Sequence, residues 1–204
     1  MAFPLKLASL LSGATRHQLN AWRASGLVVP EIRPFRPPLY SFRDLILLRS
    51  IAFLRAETSS QKVHKAFANL SLLEITSHPS RYQFGTDGTT IWIGLDGGQA
   101  VDLVQRVGQI DLFTFEDLTS EFVNFRGTTV PNFDRPADHV QVRYRRMGGW
   151  PTIEETRVPY DTVANLVDYR TVFPDDVHHY YPGVTAEAAE SAVGFNRQVE
   201  EAAA

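Results

Sequence analysis

Cysteine is absent from this 204-residue chain, which removes disulfide frameworks, thiol nucleophiles and thiolate metal sites from consideration. Lysine is scarce, with three residues against seventeen arginines. That bias suits bidentate phosphate binding and equally suits a GC-rich coding sequence. No apolar run approaches the roughly 20 residues needed to cross a bilayer, and the N-terminus lacks the basic, apolar, small-residue order of a signal peptide. These absences predict a soluble, cytoplasmic protein with no membrane partner. There is no phosphate loop or dinucleotide turn, and no heptad seam long enough for a coiled coil. No nucleophile–base pair is evident. Among the acids of residues 71–126 the closest grouping is Asp111, Glu116 and Asp117, but no histidine accompanies them. His78 and His139 are isolated, and the adjacent His178 and His179 should fall on different faces of a helix. The sequence therefore predicts no catalytic residues, no metal, no cofactor and no enzyme.

What the chain does have is enough apolar material to fold, with 44% hydrophobic and 11% aromatic residues, and a charge divided in two. Residues 1–70 carry ten Lys/Arg against three acids, a formal +7; residues 71–204 carry ten against twenty, a formal −10. A compact basic head attracts polyanions, with nucleic acid the first to consider, while an acidic body faces something else.

The head is punctuated as short helices with a hairpin inserted. Leu5, Leu7, Ala8, Leu10 and Leu11 make an apolar helix that breaks at Ser12-Gly13. Thr15 and Gln18 have capping-box spacing and open a second helix that stops at Gly26. Leu19 and Trp22 face inward, leaving Arg16, His17, Asn20 and Arg23 outward, the layout a helix-turn-helix requires. Pro34, Pro37 and Pro38 stiffen the next loop, and Arg33 and Arg36 flank its tip, so it reads as a basic wing. Ser41 with Asp44, and Thr58 with Gln61, predict two further capped helices.

The run Leu10-Leu11-Ser12-Gly13-Ala14-Thr15, then Leu19, Trp22, Gly26-Leu27-Val28-Val29-Pro30, Tyr40-Ser41 and Asp44-Leu45 resembles the winged helix-turn-helix head of the MerR superfamily. The resemblance covers about a third of the chain. It implies that the second helix enters the major groove, with Thr15, Arg16, His17, Asn20 and Arg23 on it, Arg33 and Arg36 on the wing, and Tyr40 and Arg43 beside the phosphates. Asn20 and Trp22 stand where that superfamily usually has Arg and Tyr.

From Arg81 to Phe115 the period changes to strands. Asp87-Gly88 separates Tyr82 and Phe84 from Ile91-Trp92-Ile93, Asp96-Gly97-Gly98 makes a second turn, and Gln109–Phe115 alternates. Over residues 71–126, eight acids against Arg81, Arg106 and Arg126 suit packing or protein contact better than a phosphate backbone. Residues 127–136 read as a linker, and Val140–Arg146 as a strand ending in Arg143, Arg145 and Arg146. Beyond it, three short helices are expected around Val163, Leu166 and Val167, after Pro174, and from a Thr185 cap. The predicted fold is α+β, with a winged helix-turn-helix over 1–70, an antiparallel β middle over 71–126, a linker and arginine strand over 127–147, and a three-helix domain over 148–204.

The Gly149-Trp150-Pro151-Thr152-Ile153 stretch and Thr156-Arg157-Val158-Pro159 resemble a small domain of unknown function found in antitoxins, with Glu155 replacing a usual glycine. Head, strands and tail together resemble a VapB-type antitoxin. That resemblance implies a homodimer that binds operator DNA to repress its own operon and neutralises a PIN-domain ribonuclease toxin. Such toxins hold Mg²⁺ with clustered carboxylates, so Arg143, Arg145 and Arg146 are the expected toxin-binding plug. The rival expectation is a one-component regulator whose acidic body senses a ligand or builds the dimer. An acidic third helix makes DNA a poor partner for the C-terminal domain.

Overall fold

Helix starts follow the hydroxyl spacing of the sequence closely. The computed structural model describes residues 2–72, 83–86, 90–95, 99–104 and 114–202. Helix α1 (Leu5–Ser12) ends at Gly13, whose φ of +76° reverses the chain. Helix α2 (Arg16–Ala24) follows after a three-residue turn. Gln18 N–H donates to Thr15 Oγ1 at 3.2 Å and Thr15 N–H donates to Gln18 Oε1 at 2.8 Å, a closed capping box. Helix α3 (Phe42–Glu57) opens the same way with Ser41 and Asp44. Helix α4 (Ser60–Leu72) starts one residue later than the Thr58/Gln61 spacing predicts, with Lys62 N–H donating to Ser59 Oγ at 3.4 Å.

Strand β1 (Phe3–Pro4) pairs antiparallel with β2 (Leu39–Tyr40), which closes the head around the 27–38 loop. Strands β3 (Gln83–Thr86), β4 (Ile91–Leu95) and β5 (Gln99–Asp102) form an antiparallel meander, as the turn dipeptides imply. Phe84 stacks on Phe67 of α4 at 5.1 Å, and Asn69 Nδ2 donates to Leu103 O at 2.7 Å. The expected 109–115 strand lies mostly outside the described residues, as do Tyr82, His78 and Asp111. Its last residue belongs instead to helix α5 (Phe115–Thr119), capped by Thr114. Strands β6 (Phe122–Val123) and β7 (Thr129–Val130) make a hairpin, and β8 (Val140–Gln141) pairs with β9 (Thr152–Ile153).

The C-terminal helices are α6 (Tyr160–Leu166), α7 (Val177–Tyr180), with Pro174 in the 3-10 turn before it, and α8 (Ala186–Glu201). Ala188 N–H donates to Thr185 Oγ1 at 3.2 Å, so Thr185 caps α8 as its spacing predicts. The fold is α+β, a set of short helices around small antiparallel sheets.

The core runs through head and tail without a break. Phe3 stacks on Trp150 at 5.7 Å, Trp150 on Tyr160 at 6.5 Å, and Tyr160 meets Phe195 edge-on at 4.8 Å, an aromatic line from β1 to α8. Helix α1 packs on α2, α3 and α8, and Lys6 forms an ion pair with Glu200. The stretch expected as a linker is packed too: Phe133 is 1% exposed and its N–H donates to Thr119 O at 2.7 Å.

Arg49 explains part of that welding. Counted with the basic head in the sequence, it is 1% exposed, deep in the core. Its guanidinium donates to the carbonyls of Leu11 (2.6 Å), Leu118, Ser120 (2.7 Å) and Pro131 (2.8 Å). It also lies 5.1 Å from the Phe122 ring centre and 5.5 Å from that of Phe133. Burial pushes its pKa down to about 10, so it stays charged at neutral pH. A buried cation is tolerated because carbonyl dipoles replace its water.

Candidate nucleic-acid interface

Helix α2 buries Leu19 and Trp22 against α1, which turns its opposite face outward. Arg16, His17 and Asn20 are exposed there. Thr15 is half-buried with its hydroxyl committed to the cap. Arg23 is half-buried; Nη2 donates to Asn20 Oδ1 (3.2 Å), Nη1 donates to Pro34 O (3.3 Å), and its Cζ lies 5.7 Å from the Phe35 ring centre. It therefore fixes the 27–38 loop against the end of α2.

That loop is a hairpin. Arg33 and Leu39 exchange backbone hydrogen bonds at 3.1 and 2.8 Å, and Arg33 Nε donates to Pro37 O at 2.9 Å. Arg33 and Arg36 are exposed near the tip, and Phe35 is 65% exposed between them. Asp44 anchors the base, accepting from Glu31 N–H (3.0 Å) as well as from its own cap. Arg43 is exposed, but its Nη2 is held by Glu31 at 2.6 Å.

Tyr40 is a correction. Expected beside the phosphates, it is 1% exposed, and its hydroxyl has no hydrogen-bond partner among the described residues. Burial pushes its pKa up to about 12. Its ring belongs to the core because β2 pairs with β1 and directs it inward. Of the nine sequence-predicted contacts, Arg16, His17 and Asn20 are exposed on α2, and Arg33 and Arg36 are exposed on the hairpin that Arg23 joins to it.

The arginines of the expected plug also move. Only Val140 and Gln141 are strand; Arg143 to Arg146 form a tight turn closed by Arg146 N–H donating to Arg143 O at 2.8 Å. Arg143 Nε donates to Gln141 Oε1 (2.8 Å), and Arg143 and Arg146 face Glu155 at 3.5 and 4.0 Å, leaving Arg145 exposed. Glu155 itself has φ +54°, the left-handed region where the resembling domain has glycine.

The acids behave as local caps. Thr114 N–H donates to Asp117 Oδ2 at 2.6 Å and holds that carboxyl below its usual range. Asp168 is lowered in the same way by the Thr171 hydroxyl and the N–H groups of Val172, Arg170 and Thr171. Among the described residues no three His, Asp or Glu side chains converge as metal ligands. His178 and His179, expected on different faces, have ring centres 3.9 Å apart because each ring bonds back to a carbonyl three residues earlier.

One basic residue was not foreseen at this face. Arg126, read as part of an acidic module, lies in a cleft of about 350 Å³ shared with Arg16 and His17. Here the sequence marks loop residues only from Gly127 onward; the position of Arg126 depends on the packing of β7 against Gly13.

Residues 140–195 match the family described as "Protein of unknown function (DUF433)". No curated protein matches the chain, and no solved structure matches it. The matched segment runs from β8 into α8 and leaves the basic face outside it.

Proposed function

We propose that this protein is a DNA-binding antitoxin: its N-terminal 70 residues read duplex DNA through α2 and the basic hairpin, and its acidic body holds a ribonuclease toxin. The observation that carries the DNA half is the exposure of Arg16, His17 and Asn20 on α2 and of Arg33 and Arg36 on the hairpin that Arg23 joins to that helix. Short donors on a capped helix suit base edges and phosphates, and flanking arginines suit the backbone. Tyr40 and Arg43 contribute by position rather than by contact. The toxin half rests on the resemblance of most of the chain to VapB-type antitoxins. Within it, Arg145 is the arginine of the 143–146 turn that meets the partner, since Arg143 and Arg146 face Glu155.

The test is a gel-shift titration on DNA from upstream of its own gene, at two salt concentrations, with an Arg16→Ala/Asn20→Ala variant. Specific, salt-sensitive binding lost in the variant is the expected outcome. Co-purification with the product of the neighbouring gene tests the second half. A protein that binds the DNA, has no stoichiometric ribonuclease partner and is stabilised by a small molecule is instead a one-component regulator.

A further inference from the structure

We infer that the β6–β7 hairpin is a second phosphate-gripping arm, with Arg126 contacting the DNA backbone at the N-terminal end of α2 while the 27–38 hairpin does so at the other end. This rests on the DNA-binding reading above and adds a contact element to it.

The hairpin is held where such an arm is needed. Asn124 Nδ2 donates to Gly13 O at 3.1 Å, and a Cβ on Gly13 would run into the Val130 side chain, so the arm sits on the turn that leads into α2. Its tip is braced from within: Asn124 Oδ1 accepts from Arg126 N–H (2.9 Å) and Thr128 N–H (3.2 Å), and Gly127 takes φ +76°. Its base is clasped by Arg49, which donates to Ser120 O on one side and Pro131 O on the other. An arm fixed in this way loses little conformational entropy on binding.

Charge points to the same occupant. Arg126 is exposed and has no carboxylate partner among the described residues, and among those residues no Asp or Glu lines the cleft that also holds Arg16 and His17. Arg55 and Arg126 lie 4.8 and 5.9 Å from the Phe125 ring centre, placing two guanidiniums around the tip. Glu121, at the arm's base, lines a different cleft with Glu154, Glu187 and Glu190.

Scale fits as well. Nine residues of α2 span roughly 14 Å at the usual helical rise, and the major groove is about 12 Å wide. Basic tips at both ends of such a helix meet the phosphates on either side of the groove it enters. Phosphate contacts position a protein without reading sequence, so the arm should add affinity and not selectivity.

Fluorescence anisotropy should be measured over a salt series on a duplex from upstream of its own gene and on an unrelated duplex of equal length. Wild type, Arg126→Ala, Arg126→Lys and Arg16→Ala/Asn20→Ala are compared. Arg126→Ala should bind both duplexes more weakly by a similar factor, roughly three- to tenfold, with a salt slope shallower by about 0.9, whereas Arg126→Lys keeps the slope. Unchanged melting temperature excludes unfolding as the cause. If Arg126→Ala matches wild type in affinity and slope while Arg16→Ala/Asn20→Ala loses binding, the arm is disproved and the DNA reading stands. If wild type binds neither duplex at any salt, both fall. A thermal shift with inorganic phosphate that Arg126→Ala abolishes, with duplex binding unaltered, would make this a small-anion site and overturn the arm.

Discussion

Thr15 and Thr185 begin helices near opposite ends of the chain by the same hydrogen bond, yet the two surfaces carry opposite charge. Helix α2 exposes Arg16, His17 and Asn20; α8 exposes Glu187, Glu190, Glu200 and Glu201. Both pack on α1, so a single short apolar helix supports a basic face and an acidic one. Capping and apolar spacing build the helix, while the residues left over set the charge of its exposed face. The acidic side is stable in its own terms. Glu187 is held below its usual range by its own N–H and the Thr185 hydroxyl, as expected of a carboxylate in a helix's first turn.

The connection between the two regions is most sharply broken at Arg49. Arg49→Met removes the donor to carbonyls on three separate segments, at Leu11, Leu118–Ser120 and Pro131, and it should cost about 3 kcal/mol or more in urea unfolding. Were the head an independent domain, the loss would be smaller and confined to one of two transitions; a single cooperative shift is expected.

Gly13→Ala attacks the seat of the β6–β7 arm. A φ of +76° and the nearby Val130 side chain together should cost about 2 kcal/mol, with partial recovery in Gly13→Ala/Val130→Ala, a non-additivity visible in a double-mutant cycle.

Tyr40→Phe separates contact from core. It should leave DNA affinity unchanged and raise stability by about 1 kcal/mol or less, because a hydroxyl without a partner is removed. It also has a signature in alkali. In the folded state the Tyr40 phenol keeps its proton to about pH 12, whereas in the unfolded chain it releases it near pH 10. This group leaves stability independent of pH below about 10 and lowers it as pH rises from there to about 12. The variant should therefore lose less stability than wild type over that window, as tyrosinate absorbance and circular dichroism together would show.

The smallest effect is at Glu155. Glycine relieves its left-handed backbone but gives up exposed ion pairs to Arg143 and Arg146, for a net gain of about 0.5 kcal/mol. Arg145-dependent partner binding should survive that change.

Much of the local structure was legible in the chain. The boxes at Thr15/Gln18 and Ser41/Asp44, Pro174 and the Thr185 cap all fall where spacing places them, because each depends on groups within four residues. The exceptions are local competitions. Ser59 displaces Thr58, and Thr114 turns the end of an alternating run into a helix start.

Residue order by itself determined where the helices begin, which of their faces are apolar, and that basic and acidic halves exist. Only the tertiary structure decided which charges reach the surface. It buried Arg49 among backbone carbonyls, turned Tyr40 inward, set Arg143 and Arg146 against Glu155, and carried Arg126 from an acidic stretch to a cleft beside Arg16. Those outcomes depend on contacts between residues as many as 111 apart, such as Asn124 with Gly13, and no local spacing encodes a contact of that range.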